Sequence, residues 1–313
     1  MGGKELSIFC MVPTPFHEDG SLDEEALRVN IRRLMAARQG IYLPGGGAGE
    51  AHVLSVHELR RIYDIGVEET KGKAPVYAGL RESRSAAAMF EIAKEAQAAG
   101  VDVIQLYQLD NGHGMIPTLR EQEAYWSELL SEIDHPIAIS IHYDAKFKAP
   151  TSLLQRLCRE HHQIVAFNLV GSNTGYFMEL RDALPHSVRF YAALPDIVQF
   201  AALGAAGGIN PINNLIPNVV RSIADHYRAG DNEKLGESVR TVQRALNVVN
   251  RWAPSTARWV KMGMKVLGLG NGVLRAPYLL PPEEELQQMS DAFAALHLQE
   301  LEAEAAASFG AAG

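Results

Sequence analysis

The chain has 313 residues, which suits a single α/β barrel of about 250 residues with an extension. Apolar residues make up 47% and charged residues 21%, so the composition is that of an ordinary globular protein. The net charge is −8 without a long basic run, which argues against nucleic acid as a main partner.

Cysteine content and hydropathy exclude further classes of protein. The two cysteines, Cys10 and Cys158, cannot form a disulfide framework. Cys10 lies in an apolar run and Cys158 in a helical pattern, and we predict a buried thiol for each. No segment reaches the roughly 18 uninterrupted apolar residues of a membrane helix, and the N-terminus lacks a signal-peptide pattern. We therefore expect a cytoplasmic protein with no membrane partner.

Short apolar runs alternate with amphipathic stretches along the first two thirds of the chain. Their positions predict strands at 8–12, 41–43, 76–78, 103–106, 137–141, 164–167, 188–191 and 207–209. The runs are continuous rather than alternating in polarity, which is typical of parallel strands buried on both faces. Capping-box patterns at Ser21, Ser55 and Thr118 predict helix starts, because their side chains can bond the free amides of a first helical turn.

Eight strand–helix units in succession predict a (β/α)8 TIM barrel of the α/β class. An open doubly wound sheet is the alternative, although no dinucleotide fingerprint is present. We assign residues 1–216 to the barrel and 217–313 to a C-terminal helical extension without strand patterns. The final Ala/Glu-rich stretch, 300–313, is expected to fray.

A glycine-rich turn at 46–50 (Gly-Gly-Ala-Gly-Glu) follows the second predicted strand. Such a turn can direct backbone N–H groups at an anion, or it can be a tight turn without a ligand. With Pro-Thr-Pro-Phe at 13–16 and Asp-Gly-Ser-Leu-Asp at 19–23, it resembles the N-terminal half of the dihydrodipicolinate synthase/N-acetylneuraminate lyase family. The segment 207–214 (Gly-Gly-Ile-Asn-Pro-Ile-Asn-Asn) resembles the eighth-strand segment of that family, and 274–277 (Leu-Arg-Ala-Pro) resembles its C-terminal extension.

The resemblance implies a barrel with a helical C-terminal domain, assembled as a homodimer or homotetramer. It places the active site at the C-terminal mouth of the barrel, as in barrel enzymes generally. The implied ligand is a small carboxylic acid, pyruvate or a related 2-keto acid, which family enzymes hold as a lysine imine while a tyrosine shuttles protons. The candidates for carboxylate binding are Gly47, Ala48 and Gly49 in the turn and Ile209 in the eighth predicted strand.

Several positions depart from the family pattern where the chemistry is carried. The imine lysine matches Asn168 at the end of the sixth predicted strand, and an amide is not a nucleophilic amine. Gly47 and Ala48 replace the two threonines of the family's turn, so a proton relay is lost although the backbone amides remain. The catalytic tyrosine falls nearest Asn111, and we interpret the preceding Tyr107 as a packing residue.

Lys146 is the candidate substitute for the missing lysine. It follows the fifth predicted strand, near the place where some family members have a carboxylate-binding arginine. It is a candidate carboxylate ligand, a solvent-exposed loop residue, or a replacement imine lysine whose pKa the neighbouring Lys148 lowers.

Histidines and carboxylates follow the second, fourth and fifth predicted strands. The set consists of Glu50, His52, Asp110, His113, His142 and Asp144. Asp110 and His142 join Asn168 and Asn111 as catalytic candidates, because such groups move or polarise protons. The set can also form a plain polar rim or bind a divalent metal, but tight spacing such as His-Glu-x-x-His is absent, and we predict neither metal nor cofactor.

Two functional hypotheses from different classes follow. The first is a lyase or hydratase of this family that acts on a pyruvate-like 2-keto or hydroxy acid, without the lysine imine. The second is a non-catalytic protein on the same fold that binds a small acid or serves as a scaffold, because a fold does not fix a function. Turnover distinguishes the two, and loss of turnover with a chelator would indicate assistance by a metal.

Overall fold

In the computed structural model, parallel strands close into a barrel of eight, in which the order around the barrel is the order along the chain. The structure describes residues 5–81, 85–109, 116–142, 149–171, 173–252 and 255–310. The strands are β1 (Ser7–Met11), β2 (Gly40–Leu43), β3 (Val76–Gly79), β4 (Val103–Tyr107), β5 (Ile137–His142), β6 (Ile164–Val170), β7 (Arg189–Ala192) and β8 (Gly207–Asn210). β8 pairs with β1 and closes the barrel, so the predicted TIM barrel is confirmed.

A helix follows each strand, and further helices form a C-terminal part. In the described ranges the α-helices are α1 (Glu24–Ala36), α2 (Val56–Thr70), α3 (Ala86–Ala99), α4 (Leu119–Glu132), α5 (Thr151–Glu160), α6 (Thr174–Ala183), α7 (Ile197–Ala202), α8 (Pro217–Ala229), α9 (Asn232–Val249), α10 (Thr256–Val266), α11 (Glu283–Ala295) and α12 (Leu298–Gly310). The boundary predicted after residue 216 falls at the start of α8, the helix after the eighth strand, and the division into two domains stays a prediction. None of these helices combines the length and the hydropathy that a membrane crossing requires.

Side-chain caps fix where several helices begin. The capping boxes predicted at Ser55 and Thr118 are confirmed, with both reciprocal hydrogen bonds present. The one predicted at Ser21 is wrong, because the Ser21 hydroxyl donates to Asp19 and α1 begins later, with Asp23 as its N-cap. A local hydrogen bond in the loop thus competes with the helix start.

Both cysteines are buried free thiols, as predicted. Burial raises the pKa of the Cys158 thiol to about 12 and that of the Cys10 thiol further. These thiols are therefore poor nucleophiles, since the thiolate is the reactive form.

The barrel interior changes from apolar to polar toward the C-terminal mouth. Val103, Ala138 and Ala166 belong to an apolar cluster inside the barrel. Successive side chains on a strand point to opposite faces, so the residue two positions later faces the interior again. On β4, β5 and β6 these next residues are Gln105, Ser140 and Asn168, all of which are buried.

The sixth strand is longer than the sequence predicted. It continues through Val170 instead of ending before Asn168, because the ladder with β5 continues past that point. Asn168 pairs in register with Ser140 on one side and with Tyr191 on the other. Its side chain therefore belongs to the rigid wall of the barrel and not to a loop.

Candidate active site

A cavity of about 360 Å³ opens at the mouth of the barrel, between the ends of the strands, the glycine-rich turn and α10. Its polar wall includes Gln105, Tyr107, Ser140, Asn168, Asn210 and Thr256. The volume lies at the lower end of the range for small-molecule sites. A concave site with a few convergent polar groups on an otherwise apolar wall is the usual form of a site for a small ligand.

Asn168 lies at the centre of this wall and is 4% exposed. Its amide nitrogen, Nδ2, donates a hydrogen bond to Oε1 of Gln105. Within the described part of the chain, its carbonyl oxygen, Oδ1, is buried without a partner. The Asn168 side chain is thus held through its nitrogen, while its oxygen is buried without a partner among the described residues.

The hydrogen bonding continues from Gln105 into a pair of tyrosines. Gln105 Nε2 donates to the Tyr42 hydroxyl over 2.6 Å, and the hydroxyls of Tyr42 and Tyr107 are 2.8 Å apart. All three side chains are buried. Tyr107 was interpreted as a packing residue, and its ring does lie in the hydrophobic core, but it also lines the cavity and carries this hydrogen bond.

Asn210 supplies a second unsatisfied polar group. Its Oδ1 accepts a hydrogen bond from the Leu194 amide, which fixes the orientation of the side chain. Its Nδ2 is buried and has no partner among the described residues. A buried polar atom without a hydrogen bond costs about 1–3 kcal/mol, so a polar ligand that pairs with Asn168 and Asn210 would be favoured here.

Backbone hydrogen bonds within the glycine-rich turn engage some of the amides that the sequence suggested for an anion. It forms a 3₁₀ helix at Gly46–Gly49, in which the amides of Ala48 and Gly49 donate to the Gly45 carbonyl over 3.0 and 3.2 Å. These two amides therefore already have a backbone partner. Gly47 takes no part in these bonds, is exposed and lines the cavity. Carboxylate binding by Gly47, Ala48 and Gly49 stays a prediction.

Glu50 does not belong to the polar rim in which the sequence placed it. Its carboxylate forms a buried ion pair with Lys261 of α10, and its Oε1 also accepts from the Arg275 amide over 3.3 Å. Burial lowers the pKa of Lys261 to about 8, and the attraction of Glu50 limits this fall. The pair links the turn to the C-terminal helices.

Of the other predicted catalytic and carboxylate-binding residues, one lines the cavity and the rest have side chains outside the described part of the structure. Ile209 lines the cavity from β8, and its role in carboxylate binding stays a prediction. His142 is the last residue of β5, and its side chain lies outside the described part of the structure. Five further residues of the predicted mouth also lie outside the described residues: Asp110, Asn111, His113, Asp144 and Lys146.

Neither a lysine nor a metal cluster is found at the cavity in the part of the chain that the structure describes. None of the described lysines lines the cavity. No group of three or more His, Cys, Asp or Glu side chains is placed to hold a metal ion in those ranges.

Sequence reasoning missed Gln105, Ser140 and Tyr42 as parts of the site. Gln105 and Ser140 interrupt apolar strand runs and Tyr42 lies within one, so each is taken for an ordinary strand residue when the run is considered alone. The available signal was their spacing of two from an interior residue, once the interior face of a strand is known. In strands that are buried on both sides, the pattern of apolar residues does not show which face points to the barrel interior.

Comparisons with known proteins agree with this architecture. Residues 4–296 match the Dihydrodipicolinate synthetase family. The chain is 24% identical to the 4-hydroxy-tetrahydrodipicolinate synthase of Methanopyrus kandleri, over 88% of this chain and 91% of the relative. It is 26% identical to the probable 5-dehydro-4-deoxyglucarate dehydratase of Oceanobacillus iheyensis, over 89% of this chain and 90% of the relative.

Solved structures show the same fold. The dihydrodipicolinate synthase from Aquifex aeolicus superposes with a TM-score of 0.84 at 22% identity, covering 94% of this chain and 99% of that one. A prophage protein of the same family from E. coli, solved in complex with pyruvate, also gives 0.84, at 18% identity and with the same coverage.

The family match covers almost the whole chain, and the members of this family are lyases. The closed barrel with its C-terminal helices and the cavity at the mouth agree with that match. The chain belongs to the Dihydrodipicolinate synthetase family.

Proposed function

We propose that this chain is a lyase that acts on a pyruvate-like 2-keto or 2-hydroxy acid in the mouth cavity, and that it works without a lysine imine. The observation that carries the proposal is Asn168, which stands in the wall of the cavity where the resemblance places the imine lysine. An amide cannot form an imine with a ketone. None of the lysines in the described ranges lines the cavity to replace it.

The polar groups of the cavity suit a small acid that carries an oxygen at C2. Gly47 and Asn210 offer N–H donors for the carboxylate, since neither Gly47 N–H nor Asn210 Nδ2 takes part in the local hydrogen bonds described above. Asn168 offers an acceptor for a 2-hydroxyl through Oδ1, or its second N–H for a keto oxygen. Leu169 and Ile209 add apolar surface for the carbon chain.

Stabilisation of charge replaces the covalent route in this proposal. When a bond to C3 breaks, electrons move onto the C2 oxygen, and an imine nitrogen is not present to receive them. Preorganised hydrogen-bond donors in a water-poor site can stabilise such an oxyanion, and removal of one donor typically costs about 10²–10³-fold in rate. Asn168 is positioned for this role because Gln105 holds its amide.

The relatives support the class of ligand. One solved relative binds pyruvate, one curated relative is a synthase and another is a probable dehydratase. In line with the family resemblance, we also propose a homodimer or homotetramer, which light scattering in solution would measure. The alternative of a non-catalytic acid-binding protein predicts binding without turnover.

Calorimetric titration with pyruvate and with lactate tests the binding site. We expect saturable binding to the wild type and a loss of about tenfold in affinity in Asn168→Leu, since at least one hydrogen bond is removed. Ser222→Ala is the matched control, because Ser222 is buried and hydrogen-bonded between α8 and α9, away from the cavity. Equal affinities in wild type and Asn168→Leu would refute the assignment of the cavity.

Exchange of the methyl protons of pyruvate with solvent deuterium, followed by NMR, tests for chemistry. We expect exchange faster than in buffer, because the proposed reaction passes through an enol. Binding of pyruvate without exchange would contradict the lyase and favour the binding protein.

A further inference from the structure

The two hydrogen bonds that lead from Asn168 to Tyr42 run in one direction. Asn168 Nδ2 donates to Gln105 Oε1, and Gln105 Nε2 donates to the Tyr42 hydroxyl over 2.6 Å. Tyr42 therefore receives a proton donor on its oxygen. The Tyr42 and Tyr107 hydroxyls share a hydrogen bond of 2.8 Å, in which either oxygen can be the donor.

Once Tyr107 has lost its proton, its oxygen can only accept, so Tyr42 is then the donor of the pair. Hydrogen bonds in a chain polarise one another, and the effect is larger in a buried site. All four members are at most 4% exposed. A phenolate formed on Tyr107 would be stabilised by the Tyr42 proton, and Tyr42 in turn by Gln105.

Tyr107 is held in a fixed position at the cavity. Its backbone carbonyl accepts a hydrogen bond of 2.9 Å from Tyr125, and its side chain lines the cavity. A Cβ placed on Gly46 would lie 3.8 Å from the Tyr107 hydroxyl and 3.9 Å from that of Tyr42. The tyrosine pair therefore lies against the glycine-rich turn, beside the carboxylate-binding candidate Gly47.

We propose that Tyr107 is a catalytic acid of this site, which protonates the C2 oxygen of the bound acid as a bond to C3 breaks. This inference rests on the proposed function. It assigns a chemical role to Tyr107, for which the sequence suggests only a packing role. The electron pair of the broken bond to C3 forms the C2–C3 double bond. The π electrons of the C2 carbonyl move onto its oxygen, which takes the proton from Tyr107. The product is a neutral enol, and the negative charge is left on the Tyr107 oxygen, where Tyr42 donates.

With pyruvate as the probe, the C3 bond is a C–H bond and its proton leaves to solvent water. Return of a solvent deuteron to C3 and of the enol proton to Tyr107 completes the exchange. The step thus needs no oxidant, reductant or further reactant, and its rate is measured as the loss of the methyl proton signal.

The test compares three tyrosine variants in the deuterium exchange of pyruvate, together with their affinity for pyruvate. Tyr107→Phe removes the acid, and we expect exchange to fall by about 10²-fold while affinity changes little. Tyr42→Phe removes only the group that supports the acid, so we expect a smaller fall of about tenfold. Tyr176→Phe is the control, because its buried hydroxyl bonds the Ala149 carbonyl and does not line the cavity.

The outcomes separate this inference from the proposed function. Exchange by Tyr107→Phe at the wild-type rate, with exchange by the wild type itself, would overturn the role of Tyr107 and leave the lyase proposal intact. A wild type that shows no exchange would overturn both. Parallel losses of exchange and affinity in Tyr107→Phe would indicate a structural role and contradict the acid, as would an equal loss in Tyr176→Phe.

Discussion

Lys261 and Glu50 form an ion pair in which the two side chains are only 4% and 1% exposed. Lys261 belongs to α10, and Glu50 directly follows the glycine-rich turn at the cavity. The Lys261 ammonium also donates to the Val273 carbonyl over 2.7 Å and lies 4.3 Å from the centre of the Phe16 ring. This pair therefore joins the C-terminal helices to the turn that borders the cavity.

Lys261→Met is expected to lower the free energy of unfolding by about 3–5 kcal/mol, because it leaves the Glu50 carboxylate buried without its partner. Urea unfolding followed by fluorescence measures the loss. Lys265→Met on the exposed side of the same helix is the control and should stay within about 0.5 kcal/mol of the wild type. The double variant Glu50→Gln with Lys261→Met should recover part of the loss, and a Lys261→Met protein as stable as the control would refute the role of the pair.

The sequence could not reveal this role of Glu50. The residue follows a strand and a glycine-rich turn, so local pattern placed it on a polar rim. Its partner lies in α10, more than half the chain away, and nothing near either residue indicates the contact. An ion pair of this kind depends on how α10 packs onto the barrel, which the sequence pattern does not show.

Acid sensitivity should depend on Glu58. The Arg275 guanidinium bonds both Glu58 oxygens, over 2.6 and 3.0 Å, and lowers the pKa of that carboxyl from its ordinary 4.5 to about 2. A folded-state pKa below the unfolded value adds stability that is fully present above pH 4.5 and is lost as pH falls toward 2. Glu58→Gln should therefore be less stable than the wild type at pH 7, by about 1–2 kcal/mol after allowance for partial exposure.

The measurement is thermal unfolding of wild type and Glu58→Gln at a series of pH values between neutral and strongly acid. The difference between them should narrow as pH falls through the window between 4.5 and 2. Glu128→Gln, at an exposed position of α4, should show no such convergence. A constant difference at every pH would show that the loss in Glu58→Gln is not electrostatic.

The C-terminal helix should stabilise α8 through one carboxylate. Glu302 of α12 accepts from the Asn218 and Val219 amides at the start of α8, over 2.8 and 2.9 Å. Glu302→Ala leaves these amides without that partner, so we expect a loss of about 1–2 kcal/mol by thermal unfolding. Glu304→Ala, exposed on the same helix, is the control, and equal stability of the two variants would contradict the cap.

The expectation from composition differs from the structure for this helix. Its Ala/Glu-rich composition and terminal position indicated fraying from residue 300 onward, whereas α12 continues to Gly310. Leu298 is buried at its start and Glu302 is fixed to α8. Helices that depend on tertiary contacts are not distinguishable by composition from those that fray.

The strands were predictable because a parallel barrel buries both of their faces and makes each run continuously apolar. The same continuous apolar pattern does not show which strand residues face the cavity. Gln105 and Tyr107 read as members of a strand run, and only the closed barrel shows that they face the interior with Asn168. Asn168 itself was identified from the family resemblance, and its place inside β6 came from the structure.

Asn168→Lys alone should not produce an efficient 4-hydroxy-tetrahydrodipicolinate synthase. The new lysine would enter a buried wall beside Gln105, while Gly47 and Ala48 still lack the hydroxyls of the family's relay. We expect synthase activity at least about 10²-fold below that of a family enzyme assayed in parallel. General acid–base catalysis typically raises a rate by at least that factor, and the residues of the relay are absent here. A rate equal to that enzyme's would refute this prediction.

Trapping with sodium borohydride in the presence of pyruvate tests whether this protein works without a lysine imine. The intact mass of the protein is measured after reduction, with a lysine-dependent enzyme of the family labelled alongside as the positive control. We expect an unchanged mass for this chain and a labelled control. A reduced pyruvate adduct would contradict it, and peptide mapping would then show whether Lys146 or another lysine forms the imine.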